Sequence, residues 1–508
     1  MLLTTLMLIP LVGAIVVFLI PAAKAALAKQ IALGFALVTL VVSVLMVLGL
    51  DNSSGGLQLV ESYDWIPAFG ISWTLGVNGI SASLIVMSAI LVPVAIIAGW
   101  WDAENSSQGS VKGYFALILA LEVFIIGVFA ANDLFLFYVF FEAMLFPIYF
   151  LIGRFGGPQR AYAAMKFLIY SLVGGLFMLA SLIGLYVVAG RELGAGTFDF
   201  ETLTTLNMDP NTQKLLYLGF FFAFAVKAPM VPFHTWLPDA AAEATPGTST
   251  LLVGVLDKVG TFAMLHFLLP IFPEASKFYA PAIIVLAVIS IFYGALLAIG
   301  QTDIMRLIAF TSISHFGFIV MGIFVMTSQG LSGSSFYMVN HGFSTGALFL
   351  AMGYLVSRRG SKRIADFGGV QKVAPILTGV VLISGLSGLA LPGMSTFISE
   401  FLVLTGTYAV NPAAAIVATF GIVLAAVYIL WLYQRTMTGV PSQEVEETVT
   451  EISKRELIAV VPLLAIMIAL GFVPQVALNY INPAVEQVQT YVGFTDPEAV
   501  AVPEGSGS

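Results

Sequence analysis

The chain has 508 residues, 59% of them hydrophobic and only 9% charged, with a formal net charge of −8. Soluble domains carry about 25% charged residues, so a water-soluble enzyme is excluded and a polytopic membrane protein is expected. With no Cys and only four His (234, 266, 315 and 341), the chain offers no disulfides, no thiolate cluster and no metal-type His group. It also carries no dinucleotide fingerprint and no phosphate loop, so any redox chemistry must sit on another subunit.

Apolar runs of spanning length fall at about 2–21, 31–50, 77–99, 113–131, 133–152, 164–189, 213–233, 247–270, 279–299, 305–326, 333–356, 373–408, 412–435 and 456–476. The first lacks a basic flank and is long enough to be a retained span rather than a signal peptide. Fourteen helices follow, with no dyad alternation that would indicate a barrel. With the N-terminus outside, the inner loops receive fourteen Lys and Arg and the outer loops only Arg191, Lys214 and Lys277. This positive-inside bias supports an even number of spans and places both termini outside. Loops 51–76 and 190–212 read as polar outer loops, 439–455 as a charged inner segment, and the tail after about residue 484 as frayed.

The seventh run, FFFAFAVKAPMVPFHTWLPDAAAE, carries Lys227 and then Pro229, Pro232 and Pro238. Proline removes a backbone donor and clashes one turn back, so this helix is expected to break near Lys227. The twelfth run is too long for one helix and contains Pro392 and Gly393, a second expected break. Irregular backbone at membrane depth survives only inside protein or beside a watery cavity, and a charge there marks a functional site. A shift of 173 residues lays Lys227 on Glu400 and Glu142 on His315. Residue identity under this shift is poor, so the repeat rests on ionisable positions and breaks. An odd number of helices per copy inverts the second copy, a transporter pattern. The expected units are 1–112 (three helices), 113–270 (first repeat), 277–436 (second repeat) and 437–508 (inner loop, last span and outer tail).

The ionisable residues inside spans are the candidate site. Glu142 is the one charge in the centre of the fifth run, and its natural partner is Lys227; the alternative is a purely structural pair. Desolvation and a neighbouring carboxylate pull a lysine's proton affinity in opposite directions, so opening or closing such a pair loads or unloads a proton without a cofactor. Lys258 reads as the central relay of the eighth run. Its neighbour Asp257 points about 100° away and need not pair with it, but reads as a side partner and an additional relay candidate; a local structural pair is the alternative. His315 with Thr311 and Ser314, and His341 with Tyr337, Ser344 and Thr345, form polar stripes suited to proton relay. Glu400 stands just after the second break as a terminal donor. Glu122 and Lys166 are weaker additions, Lys166 fitting an interfacial cation equally well. His234 and Asp239 fit either an inner proton inlet or a plain polar loop, and His266 reads as structural.

VKAPMVPFHTWLPDAAAEATPGTSTLLVGVLDKVG, GQTDIMRLIAFTSISHFGF, MVNHGFSTGALFL and LPGMSTFISEFL resemble the antiporter-like subunits of proton-pumping NADH:quinone oxidoreductase, respiratory complex I. The likeness covers roughly residues 75–440, and Glu at position 400 resembles the M-type subunit, where other branches usually carry Lys. The resemblance implies a Glu142–Lys227 pair, a Lys258 relay, connecting His315 and His341, and Glu400 as the terminal acid. It also implies NADH, flavin, iron–sulfur clusters and quinone on other subunits. L-type and N-type antiporter-like subunits are the implied neighbours, in a bacterial inner membrane and with no nucleic acid. A subunit of a multisubunit cation/proton antiporter is the alternative, and an inert scaffold a third reading. Met305 and His266 depart from the usual Lys and Arg, and Ser395 and Ser399 from the usual Gly.

Overall fold

The computed structural model describes residues 1–104 and 109–498. Among these, eleven helices are long and apolar enough to cross a membrane. The remaining three of the fourteen apolar runs also hold helix. Pro210–Lys227 and Ser328–Arg359 are richer in polar residues, and Pro375–Gly388 with Ser395–Val410 is split. Burial sorts the helices. Pro246–Ile271 and Ile304–Phe324 are enclosed by protein along their whole apolar windows, whereas Ala22–Leu48 and Lys454–Phe472 bury a third or less of theirs. Lys258 and His315 therefore ride on helices enclosed by the rest of the chain, as does His341 on Ser328–Arg359, and there a charge is tolerable.

Both expected breaks are present. The first helix stops at Lys227, the chain turns through 228–235, and Trp236–Glu243 resumes. Pro229 and Pro232 lie in the turn. Pro238 does not: it occupies the first turn of the resumed helix, where a missing N–H costs nothing. The second break runs through 389–394, with Ala390 (φ 54°) and Gly393 (φ 97°) in left-handed backbone. Helix ends at membrane depth leave carbonyls without partners, and here each is met from beyond the break. Trp236 Nε1 donates to Val226 O at 2.8 Å, and Thr396 Oγ1 donates to Ser387 O at 2.6 Å.

Other irregularities stand outside the sequence reading. The fifth run is two helices, Leu134–Ala143 and Leu145–Phe155. Pro147 supplies the cause, since its absent N–H is the one that would bond Ala143 O. The eighth run contains two π-helical turns, Leu252–Leu256 and Met264–Leu268, on either side of Lys258. Such turns widen a helix and concentrate at functional sites.

Two further elements depart from the sequence reading, a hairpin from the all-helical expectation and an ordered helix from the frayed tail. The loop 51–76 holds an antiparallel hairpin, Gln58–Ile66 with Ile71–Val77, stitched to the bundle by Asn132 N to Thr74 O and Ser72 N to Asp133 Oδ2. The tail beyond residue 484 is not frayed as far as it is described. Gln475–Val492 is a helix that buries Ile481, Val485 and Val488, while 499–508 lie outside the described residues. It packs so closely on Gly79 that a Cβ there would stand 1.6 Å from Tyr480 O.

From the hairpin, Glu61 accepts from Leu3 N (2.8 Å), Thr4 N (3.2 Å) and Thr4 Oγ1 (2.6 Å), capping the first helix from a distant strand. An N-cap oxygen contributes about 1 kcal/mol. Glu61→Ala is expected to speed hydrogen exchange at the Leu3 and Thr4 amides about fivefold, since 1.4 kcal/mol is tenfold; unchanged exchange contradicts the cap.

Candidate proton-transfer site

Lys258 is the hub. Its side chain is wholly buried, and the long stem folds back onto its own helix. Nζ lies 2.5 Å from Val253 O, 3.0 Å from Asp257 Oδ1 and 2.6 Å from His341 Nδ1. The adjacent Asp257 thus does pair with Lys258. The 100° between neighbouring Cβ directions is overcome by the lysine's reach, and both side chains are fully enclosed. One ammonium therefore touches a carboxylate, a carbonyl and an imidazole together.

The row continues through ring contacts. His341 and His315 meet at 5.3 Å between centroids, and His315 faces the Tyr337 ring at 6.0 Å. Tyr337 Oη donates to Glu400 Oε1 at 2.5 Å. A second phenol closes the side of the row: Tyr428 Oη lies 3.2 Å from His315 Nε2, which is also 3.1 Å from Gly388 O at the second break. Asn340 Nδ2 donates to Ser399 Oγ (2.8 Å) and Ser395 O (3.2 Å), fixing the start of the helix that carries Glu400. Ser395 and Ser399 are thus used by the packing. Hydroxyl, imidazole and carboxyl groups form a continuous file from Lys258 to Glu400. Several of its atoms, His315 Nδ1, His341 Nε2 and Glu400 Oε2, have no hydrogen-bond partner among the described residues. A buried polar atom without a partner is costly in a static structure, but it is what a proton-accepting group needs.

The first half is arranged differently. Lys227 is buried with its ammonium 4.8 Å from the Phe141 ring centroid and 5.6 Å from that of Phe167. Among the described residues it makes no ion pair with Glu142, and Lys227 Nζ and Glu142 Oε1 both lack hydrogen-bond partners. The expected pair is open, with the cation held over aromatic faces. Glu142 is lodged beside Gly175, where a Cβ would stand 1.8 Å from Oε1. The Lys227 helix end also abuts the Lys258 helix. A Cβ on Gly260 would stand 2.5 Å from Phe224 O and 2.6 Å from Ala228 N.

The remaining candidates fall apart from the file. Glu122 is completely buried and neither oxygen has a partner among the described residues. Asp239 is clasped by Lys166 at 2.7 Å and by Arg306, so both of its oxygens are engaged. His234 packs its ring on Tyr293, with Nδ1 unpartnered among the described residues. His266 stacks on Phe200 and Phe262 and reaches Asn132 Oδ1 at 2.9 Å, as a structural histidine does. Tyr428 is the member that sequence reasoning missed. It is one polar atom in an apolar helix, 113 residues from its partner. Among the described residues no cluster of three His, Asp or Glu is arranged to hold a metal.

A broken-helix bundle with a buried Lys–His–Glu file is the architecture of a membrane ion translocator. The family model for "NADH:quinone oxidoreductase/Mrp antiporter, TM" matches residues 131–425, more than half of the chain, and the chain belongs to this family. It is 49% identical to the NADH-quinone oxidoreductase subunit M of Mycobacterium tuberculosis, over 97% of this chain and 95% of that one. Among solved structures it is similar to a chain of respiratory complex I from Thermus thermophilus with bound NADH, at TM-score 0.87 and 29% identity, covering 97% of this chain and 100% of that one. It also shares the fold of a chain of the Mrp complex from Dietzia, at TM-score 0.85 and 21% identity, over 97% and 99% of the two chains.

Proposed function

We propose that this chain is a proton-translocating membrane subunit of a NADH:quinone oxidoreductase, and that it moves protons along Lys258, His341, His315, Tyr337 and Glu400. The single observation that supports the path is the unbroken run of contacts from the Lys258 ammonium to the Glu400 carboxyl, ending beside the second helix break. The family takes in both classes; the 49% identical relative favours the oxidoreductase over the cation/proton antiporter.

NADH, flavin, iron–sulfur clusters and quinone belong to other subunits in this reading, and redox energy arrives as electrostatic work. A unit charge brought to 4 Å at an effective dielectric of about 20 changes a site's energy by about 4 kcal/mol. Carrying one charge through 100 mV needs about 2.3 kcal/mol, so a charge moved at that range is work of the right size, and closing or opening the Glu142–Lys227 pair is the step that would move it. Gly175 leaves the place that the Glu142 carboxylate occupies.

All fourteen runs span the membrane in this account. Repeats 113–270 and 277–436 are inverted copies, flanked by 1–112 and 437–508. The parallel capping of the two breaks, by Trp236 and by Thr396, supports the repeat. The Lys and Arg distribution supports both termini on the outer side of a bacterial inner membrane. Other antiporter-like subunits of L and N type, and lipid, are the neighbours.

Tyr337→Phe tests the path. It removes one hydroxyl from a buried ring and leaves the stack on His315. The rate at which this chain moves protons in assembled complex is expected to fall about a hundredfold, the smaller end of what a positioned proton-transfer group contributes. Pumping at the wild-type rate would take Tyr337 out of the path.

A further inference from the structure

The file begins at Lys258, yet the protons it carries must reach that lysine from the inner side. Asp239, near the first break, is clasped by Lys166 and Arg306 and has no oxygen to spare. A different group of side chains converges at the start of the Lys258 helix. Tyr114 Oη lies 3.0 Å from Thr245 Oγ1 and 3.5 Å from Thr248 Oγ1, and the two threonine hydroxyls are 3.0 Å apart. The phenol is seated against Gly99 and Gly247, where a Cβ would stand 2.6 Å and 3.5 Å from Oη. Tyr354 comes from the neighbouring long helix, one residue past Gly353, where a Cβ would meet Pro246 at 2.6 Å. Its buried hydroxyl has no partner among the described residues, and neither has Asp102 Oδ2 in the loop just beyond Gly99. Thr245 also caps the helix, its Oγ1 accepting from Thr248 N at 3.4 Å, but the two orphaned oxygens serve no such role among the described residues.

We propose that Asp102, Tyr114, Tyr354, Thr245 and Thr248 form the inner-side inlet that delivers protons to Lys258. The inference rests on the relay reading above and adds the supply end to it. Polar rungs continue up the same helix. Thr250 Oγ1 stands 3.5 Å from Gly346 O, and Val253 O accepts from Lys258 Nζ. The climb from Thr248 to Lys258 is ten residues, about 15 Å of helix, with Thr250 Oγ1 and Val253 O as the polar atoms along it. Asp102 sits at the outermost step. Burial pushes its carboxyl up to about 6, with Arg455 opposing and Glu456 adding to the rise. Tyr114 and Tyr354 face it as well, and Arg358 is engaged by Glu456 in a two-pronged pair. A carboxyl that exchanges its proton a little below neutrality collects protons from a medium near neutral pH.

The test uses the intact complex in inside-out vesicles, where the inner face meets the medium and its pH sets the supply. NADH-driven proton uptake is measured with a lumenal pH dye at medium pH 8 and pH 6. Asp102→Asn is expected to lower the protons this chain moves about tenfold at pH 8, less than the roughly hundredfold of a lost relay group because the hydroxyls remain, and by less than twofold at pH 6, where protons are abundant. Thr248→Val, which keeps volume and removes the hydroxyl, is expected to lower them at both. Where Asp102→Asn does not assemble, Tyr114→Phe takes its place in the same comparison. Wild-type pumping at both pH values in the assembled variants overturns the inlet. Lys258→Met is run in parallel: if it too pumps normally, the relay itself has failed, whereas loss in Lys258→Met with normal inlet variants rejects only the inlet.

Discussion

Lys258→Met in the assembled complex is expected to abolish the protons that this chain moves, a loss of at least about a hundredfold in its transfer rate. Methionine matches the length of the stem and packs in the same channel, so what is lost is the titratable nitrogen that touches Asp257, His341 and Val253 O. The change also leaves Asp257 buried without its cation, which costs about 3–5 kcal/mol. The double variant Lys258→Met with Asp257→Asn removes that burden. It is expected to restore assembly and leave pumping absent. Proton stoichiometry per NADH in vesicles, normalised to assembled complex, checks both statements; recovery of pumping in the double variant would show that the lysine served only to neutralise Asp257.

Glu400→Gln is the second large effect. The amide oxygen can still accept from Tyr337 Oη, so the 2.5 Å contact and the packing around Asn340 and Ser399 survive while the acid is gone. Pumping is expected to fall as far as in Lys258→Met, with assembly at the wild-type level. Glu400→Asp keeps the charge and is one methylene too short for Tyr337, so an intermediate rate is expected. Equal pumping by all three chains contradicts the role of Glu400 as terminal acid.

The sequence carried the parts of this site that are expensive. Lys227, Lys258 and Glu400 stand out because a charge within an apolar run has few innocent explanations. The two breaks stand out because Pro and Gly punctuate a helix by known sterics. Features that depend on neighbours in space did not show. Tyr428 becomes part of the file only because its helix packs beside His315. Asp257 pairs with Lys258 because the long side chain curls back, which Cβ directions do not foretell. The open Glu142–Lys227 pair is set by Phe141, Phe167 and the gap at Gly175, a tertiary arrangement. Other features do have a local signal in the sequence. Pro147 marks the interruption beside Glu142, and the segment ISWTLGV after a Gly at positive φ ends a hairpin in what looked like a polar loop. The helix Gln475–Val492 is amphipathic rather than spanning, so a search for long apolar runs passes over it.

Infrared difference spectroscopy of the complex during NADH-driven turnover addresses the central claim most directly, because a protonated buried carboxyl has its own C=O stretch. A change in that band on turnover, absent in Glu400→Gln and suppressed in Lys258→Met, is the predicted result. A carboxyl spectrum identical in wild type and Glu400→Gln, while protons are still pumped, would contradict it.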